Sequence, residues 1–312
     1  MSEASDSSYV RRSPTIEFFK SLLKRSKLVV GLATSARLAG ARLLGGFITN
    51  HELVNKLALF APNSSGSPKA KADLTMLSAQ TAFPLICELL AQQGQRPLQA
   101  RPLGSFCSAD FPNSQAIELA GLFNAYGSDK ASSHNYYLVY CEILGALRRN
   151  HLRILEIGLG SNNPDVVSTM GKFGRPGASL RAFRDFLPNS EIFGADVDRR
   201  ILFEEDRIKT YFVDQTSLKS LDELAAALPS EPLDLIIDDG LHSPSANIAT
   251  LIFALKKLKS NGWFVVEDVA EKSVPVWQLV SAILPKQYTS TILQGRSGFM
   301  VIVKKTSGER QD

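Results

Sequence analysis

Leu155-Glu156-Ile157-Gly158-Leu159-Gly160 is an apolar run that ends in an acid and a pair of glycines, and four later stretches repeat the plan. They are Phe193-Gly194-Ala195-Asp196, Val213-Asp214-Gln215, Ile236-Ile237-Asp238-Asp239-Gly240-Leu241-His242 and Val265-Val266-Glu267-Asp268. A short, almost wholly apolar run closed by carboxylates is how a buried parallel strand reads when its carboxyl end opens into a ligand crevice. Five such endings in succession point to one site on one sheet.

Working outward, strands are predicted near 152–157, 191–196, 208–213, 233–237 and 262–267, with helices near 178–187, 217–228 and 245–259. Alternation of this kind implies an α/β fold with a Rossmann-like parallel sheet and right-handed crossovers. The rhythm breaks at the end. Tyr288 to Leu293 and Phe299 to Lys304 are separated only by Gln294-Gly295-Arg296-Ser297-Gly298, which suits an antiparallel hairpin. A mostly parallel, seven-stranded sheet that finishes this way resembles the class I fold of S-adenosylmethionine (SAM) dependent methyltransferases.

Upstream, helices are expected from Ser114 and from about Tyr136 to Arg149, and another around Leu74 to Gln93. The breakers between Gly94 and Pro112 place a boundary there, giving a helical N-terminal region, 1–112, and a catalytic domain, 113–312. Residues 1–60 hold nine Lys and Arg against four Asp and Glu, a net +5 within a chain of net +4. A solvated basic face or a weak contact with an anionic membrane surface fits that leader, with Phe18, Phe19, Leu22 and Leu23 opposite Lys20, Lys24 and Arg25. No nucleic-acid footprint follows from it. Charges at Lys27, Arg37 and Arg42 cut the apolar stretch Leu28–Ala33 far below the ~20 residues that span a bilayer, so no transmembrane helix and a cytoplasmic location are expected. Cys87, Cys107 and Cys141 have neither paired spacing nor a histidine cluster, and read as buried thiols.

The glycine pair needs weighing against a dinucleotide loop, which requires a third glycine three positions on, so that a helix N-terminus meets the pyrophosphate. Asn163 stands there, Pro164 follows, and residues 161–177 form an insertion. A cofactor without phosphate needs only close backbone approach at Gly158 and Gly160. SAM meets that condition. Asp196 is then the partner of the ribose hydroxyls, Asp214 and Gln215 meet the adenine, and Glu156 holds the loop amides or the methionine ammonium. Asp238, Asp239 and His242 should face Glu267 and Asp268 across neighbouring strand ends. Carboxylates that close repel one another unless a hard cation, Mg²⁺ or Mn²⁺, joins them. His242 is placed to act as general base toward a metal-oriented hydroxyl.

These motifs, with Gly127-Ser128-Asp129-Lys130, His134-Asn135-Tyr136 and Ala178-Ser179-Leu180-Arg181, resemble the metal-dependent macrocin and mycinamicin type sugar O-methyltransferases over about 115–305. The resemblance implies Mg²⁺ on Asp239, Glu267 and Asp268 and His242 as base. It implies SAM on Asp196, Asp214 and Gln215, and the cofactor site expected in full comprises these with Glu156, Gly158, Gly160, Ser179, Arg181 and Asp238. The acceptor implied is a small-molecule or glycan hydroxyl. A phenolic acceptor, or a scaffold that binds SAM without turnover, stands as the alternative, and a homo-oligomer is compatible with residues 1–110.

Overall fold

The computed structural model describes residues 48–108 and 112–307. The amphipathic segment around Phe18–Arg25 and the apolar stretch Leu28–Ala33 lie outside them. The chain divides into two compact units, Met1–Gln80 and Thr81–Asp312.

In the first unit, α1 (Asn50–Lys56) opens on a reciprocal cap in which the Thr49 hydroxyl accepts from the Glu52 amide and Glu52 accepts from the Thr49 amide. α2 (Pro68–Gln92) begins there and continues into the second unit. Among the described residues it is the one helix long and apolar enough to cross a membrane by length and composition. Within the second unit its Cys87 thiol bonds the Pro275 carbonyl and Phe83 packs on the core.

The second unit carries a nine-stranded sheet. Its members are β1 (Arg101–Pro102), β2 (Arg153–Ile157), β3 (Glu191–Asp196), β4 (Glu204–Glu205), β5 (Ile208–Phe212), β6 (Leu233–Asp238), β7 (Leu258–Val269), β8 (Tyr288–Gln294) and β9 (Phe299–Lys305). The order is β1-β8-β9-β7-β6-β2-β3-β5-β4. Strands β5, β3, β2, β6 and β7 run parallel, and β9 inserts antiparallel between β7 and β8. The seven expected strands are present, and the two additions are two-residue edge strands. The helices are α3 (Ser114–Tyr126), α4 (Asp129–Ser132), α5 (Tyr137–Leu144), α6 (Ala178–Phe186), α7 (Leu218–Ala227), α8 (Pro244–Lys257) and α9 (Val274–Ile283).

Successive strand residues point to opposite faces, so each apolar run feeds two cores. Ile154, Ile192, Leu235 and Ile237 pack under α3, α5 and α6 through Phe123, Tyr140 and Phe183. Leu155, Phe193, Ile236 and Phe264 pack under α7, α8 and α9 through Leu224, Leu251 and Trp277. The same parity settles where the acids point. Glu156, Asp239 and Glu267 fall on the first face, while Asp238, next to Asp239, falls on the second.

Candidate active site

The crevice lies where the sheet order reverses, at β2 between β3 and β6, which is where open α/β sheets bind ligands. The glycine loop is pinned from both sides: the Gly158 amide donates to the Ala195 carbonyl at 2.8 Å, and the Asp239 amide donates to the Ile157 carbonyl at 2.8 Å. The Leu159 amide donates to Asp196 Oδ2 at 2.7 Å. Gly158 has φ +99°, and a Cβ there would lie 2.0 Å from the Asp239 carbonyl oxygen. Only glycine fits this crossing. The insertion expected at 161–177 is a loop without helix, closed by Met170 N to Ser161 O and Gly177 N to Leu159 O, both 2.8 Å, before α6 begins. No helix N-terminus therefore follows the glycines directly, which removes the dinucleotide reading.

Loop and strand ends enclose a cavity of about 710 Å³, within the usual range for small-molecule sites. Gly158, Gly160, Ser179, Asp196, Asp214, Gln215, Asp239, His242 and Asp268 all line it. Asp196 is buried, which raises its pKa against two accepted backbone bonds, from Leu159 and Asp198. Gln215 is a brace as much as a wall: its amide oxygen accepts from the Leu241 amide and its amino group donates to Asp238 and Thr250.

Four expected site residues do not line this cavity. Arg181 is held by Glu205, at 2.7 Å, and stacks on Phe203, so it ties α6 to the β4–β5 edge. Asp238 faces α8, accepting from Asn247 at 3.0 Å and Gln215 at 2.7 Å, and burial raises its pKa. Glu156 is fully buried and accepts from the Ser179 hydroxyl at 2.5 Å. Glu267 is buried, and it offers a carboxylate oxygen within 4.8 Å of one from Asp239 and one from Glu156.

What gathers these acids is a residue that sequence reasoning left without a role. Lys130, 1% exposed, places its Nζ 2.6 Å from Asp239, 2.8 Å from both oxygens of Glu267 and 3.1 Å from Glu156. The Tyr140 hydroxyl also donates to Glu267. Burial opposes the charge on Lys130, but Asp239, Glu267 and Glu156 together outweigh it and hold its pKa well above the ordinary value. Burial likewise pushes Glu267, Glu156 and Asp239 upward, against the pull of Lys130.

Asp268 stands slightly apart, accepting from the Tyr136 hydroxyl at 2.6 Å, with His134 Nδ1 at 3.5 Å. The four carboxylates and one ammonium leave three formal negative charges unbalanced. Asp239, His242 and Asp268 each offer a ligand atom within 4.8 Å of the others at the cavity wall. This donor set fits a hard divalent cation, which commonly takes one or two carboxylates and completes its shell with water or substrate. His242 Nε2 lies 3.9 Å from Asp239 Oδ1, and its buried Nδ1 has no hydrogen-bond partner. His242 and Asp268 both hold positive φ, +53° and +52°, a conformation costly for non-glycine residues and concentrated at functional sites. A second cavity, about 640 Å³, lies across Asp268 and is lined by His134, Glu271, Arg296 and Phe299.

No protein-family model matches the chain. Over 161 residues it is 32% identical to 8-demethyl-8-alpha-L-rhamnosyl tetracenomycin-C 2'-O-methyltransferase of Streptomyces olivaceus, covering 51% of this chain and 40% of the relative. Over 124 residues it is 34% identical to mycinamicin VI 2''-O-methyltransferase of Micromonospora griseorubida, covering 39% and 28%. Demethylmacrocin O-methyltransferase of Streptomyces fradiae is 35% identical over 124 residues, covering 39% and 28%. The chain thus spans less than half the length of these curated relatives. Among solved structures, the MycE methyltransferase of the mycinamycin pathway, in complex with Mg and SAH, has a TM-score of 0.50 and 22% identity over 62% of this chain and 56% of that one. That likeness shows the fold. The sequence relatives are sugar O-methyltransferases of the type the motifs resemble.

Proposed function

We propose that the chain is a SAM-dependent O-methyltransferase requiring a divalent cation, Mg²⁺ first, and that it methylates a sugar hydroxyl of a glycoside or glycan precursor. The observation that carries this is the meeting of Gly158, Asp196, Asp239, His242 and Asp268 on one cavity from four different strand ends. The relatives methylate sugar positions by name, which supports the acceptor class.

SAM supplies the methyl group, which passes from the sulfonium to the acceptor oxygen by in-line displacement and leaves S-adenosylhomocysteine (SAH). Asp239 and Asp268 would hold the cation, which would lower the pKa of the acceptor hydroxyl and fix its direction. Gly158 and Gly160 let the cofactor approach the backbone, and Asp196 accepts from the ribose hydroxyls. His242 receives the acceptor proton, a contribution typically of ~10² to 10⁴ in rate. The second cavity across Asp268 provides room for the sugar, with Arg296 and Glu271 as polar contacts.

The test is SAH formation from SAM and Mg²⁺ with a panel of rhamnosyl and other deoxysugar glycosides, run beside catechols. SAH formation with a glycoside, lost in EDTA and restored by Mg²⁺, supports the reading. Turnover of catechols alone moves the acceptor to the phenolic class, and metal-independent turnover removes the cation.

A further inference from the structure

Three lysine or arginine side chains line the main cavity, Lys130, Arg175 and Arg200. Two of them are already engaged. Lys130 is held by Glu156, Asp239 and Glu267, and Arg200 by Asp198 at 2.6 Å and Asp165 at 3.0 Å. Arg175, in the loop that follows the glycines, has neither an ion pair nor a side-chain hydrogen bond among the described residues. Its stem lies over the turn at Gly127, where φ is +83° and an added Cβ would come within 3.1 Å of Arg175 Cδ. Asp129, on that same turn, faces His134 at 3.6 Å.

The strand order tells which end of the cavity this cation occupies. Asp214 follows β5 and Asp196 closes β3, on one side of β2. The turn at 127–130 reaches the other side, because Lys130 meets Glu156, Asp239 and Glu267 at the ends of β2, β6 and β7. We propose that Arg175 binds the carboxylate at the amino-acid end of the cofactor, an inference that rests on the SAM reading above. A nucleoside on Asp196 and Asp214 would send its amino-acid arm across β2, toward the turn on which Arg175 lies. Electrostatics requires a cation there. Glu156, Asp239, Glu267 and Asp268 set four carboxylates against the one ammonium of Lys130, a field that favours the ammonium of the arm and repels its carboxylate. A guanidinium offers two parallel N–H donors matched to the two oxygens of a carboxylate. Arg175 and the acids would then hold the two ends of the zwitterion in opposite directions and orient the arm.

Calorimetry on the full chain, without added divalent cation, compares SAH with decarboxylated SAH, which keeps the amine and lacks only the carboxylate. Wild type should bind SAH ~10- to 100-fold more tightly than the decarboxylated ligand, the scale of a hydrogen bond to a charged group. R175M should lose that preference, with SAH weakened by the same factor and the decarboxylated ligand within about threefold of its wild-type affinity. R175K should recover part of the SAH affinity, since the charge returns without the planar fork. A preference that survives in R175M, equal weakening of both ligands, or a wild type that does not discriminate overturns the inference and leaves the SAM reading standing. A wild type that binds neither ligand overturns both. If R175M does not fold, R175Q decides: a lost preference supports the assignment and a retained one refutes it.

Discussion

Replacing Gly158 by alanine should damage both stability and cofactor binding, by an amount that follows from the crossing of two chains. The added Cβ would sit 2.0 Å from the Asp239 carbonyl oxygen, 2.4 Å from its carbon and 2.7 Å from Gly240 Cα. These are backbone atoms, and ordinary contact begins near 3.4 Å, so the ends of β2 and β6 must part by more than an ångström. The φ of +99° adds a penalty of ~1–2 kcal/mol for an L-residue, and overpacking typically adds ~1–3 kcal/mol. The sum, about 2–5 kcal/mol, corresponds to a fall in Tm of roughly 4–20 °C for a domain of this size. Gly160 is the internal control. It also has positive φ, +79°, but the nearest atoms its Cβ would meet belong to the flexible Met170 side chain and not to backbone. Thermal unfolding of both variants and SAH titration calorimetry read the effect. G158A should lose more stability than G160A and should weaken SAH binding. A G158A protein with wild-type Tm and SAH affinity would refute the reasoning, since it would mean that the two chain ends are not locked together.

Asp196→Asn turns an oxygen that accepts the Leu159 or Asp198 amide into a donor. SAH affinity should fall by ~10- to 100-fold, as for a lost hydrogen bond to a charged group, and an unchanged Kd in calorimetry would remove Asp196 from the site. Burial raises the folded-state pKa of Glu156, Asp239 and Glu267 above the unfolded value. The folded chain thus holds more protons, and this contribution is complete below the unfolded carboxylate pKa and lost as pH rises through the raised ones. The Tm gain on adding Mn²⁺ should therefore be larger near pH 8 than near pH 5, and equal gains in a thermal-shift assay would contradict it. Burial, with Glu142 nearby, raises the Cys107 and Cys141 thiols to about 11. Their reaction with a disulfide reagent at pH 8 should be ~100-fold slower than that of a free cysteine, and rapid labelling of the folded chain would count against that burial.

The strands were legible because each buried run is apolar throughout and ends in acids, a pattern with no competing local reading. The two-residue edges Arg101–Pro102 and Glu204–Glu205 carry no such pattern, being set by their neighbours. Asp196, Asp214 and Asp239 were legible from position alone, since they close strands at one edge. Arg181 was not, because its partner Glu205 comes from an edge hairpin that gave no signal. Asp238 and Asp239 differ by one residue and therefore by one face, so strand parity could have sent only the second to the cavity. Lys130 was the largest omission. In a short polar segment it reads as surface, and its burial depends on carboxylates 26 to 137 residues later in the chain. Its place in Gly127-Ser128-Asp129-Lys130, taken with strand parity, is the one signal that could have found it. Of the thiols, Cys87 and Cys141 are buried and Cys107 is half-buried.

A crystal grown with SAH and Mn²⁺ and measured at the manganese edge puts the central claim to its most direct test. The account predicts SAH with its ribose on Asp196, and one anomalous peak touching Asp239 and Asp268. Nucleoside density elsewhere, or manganese that leaves both carboxylates untouched, would contradict it.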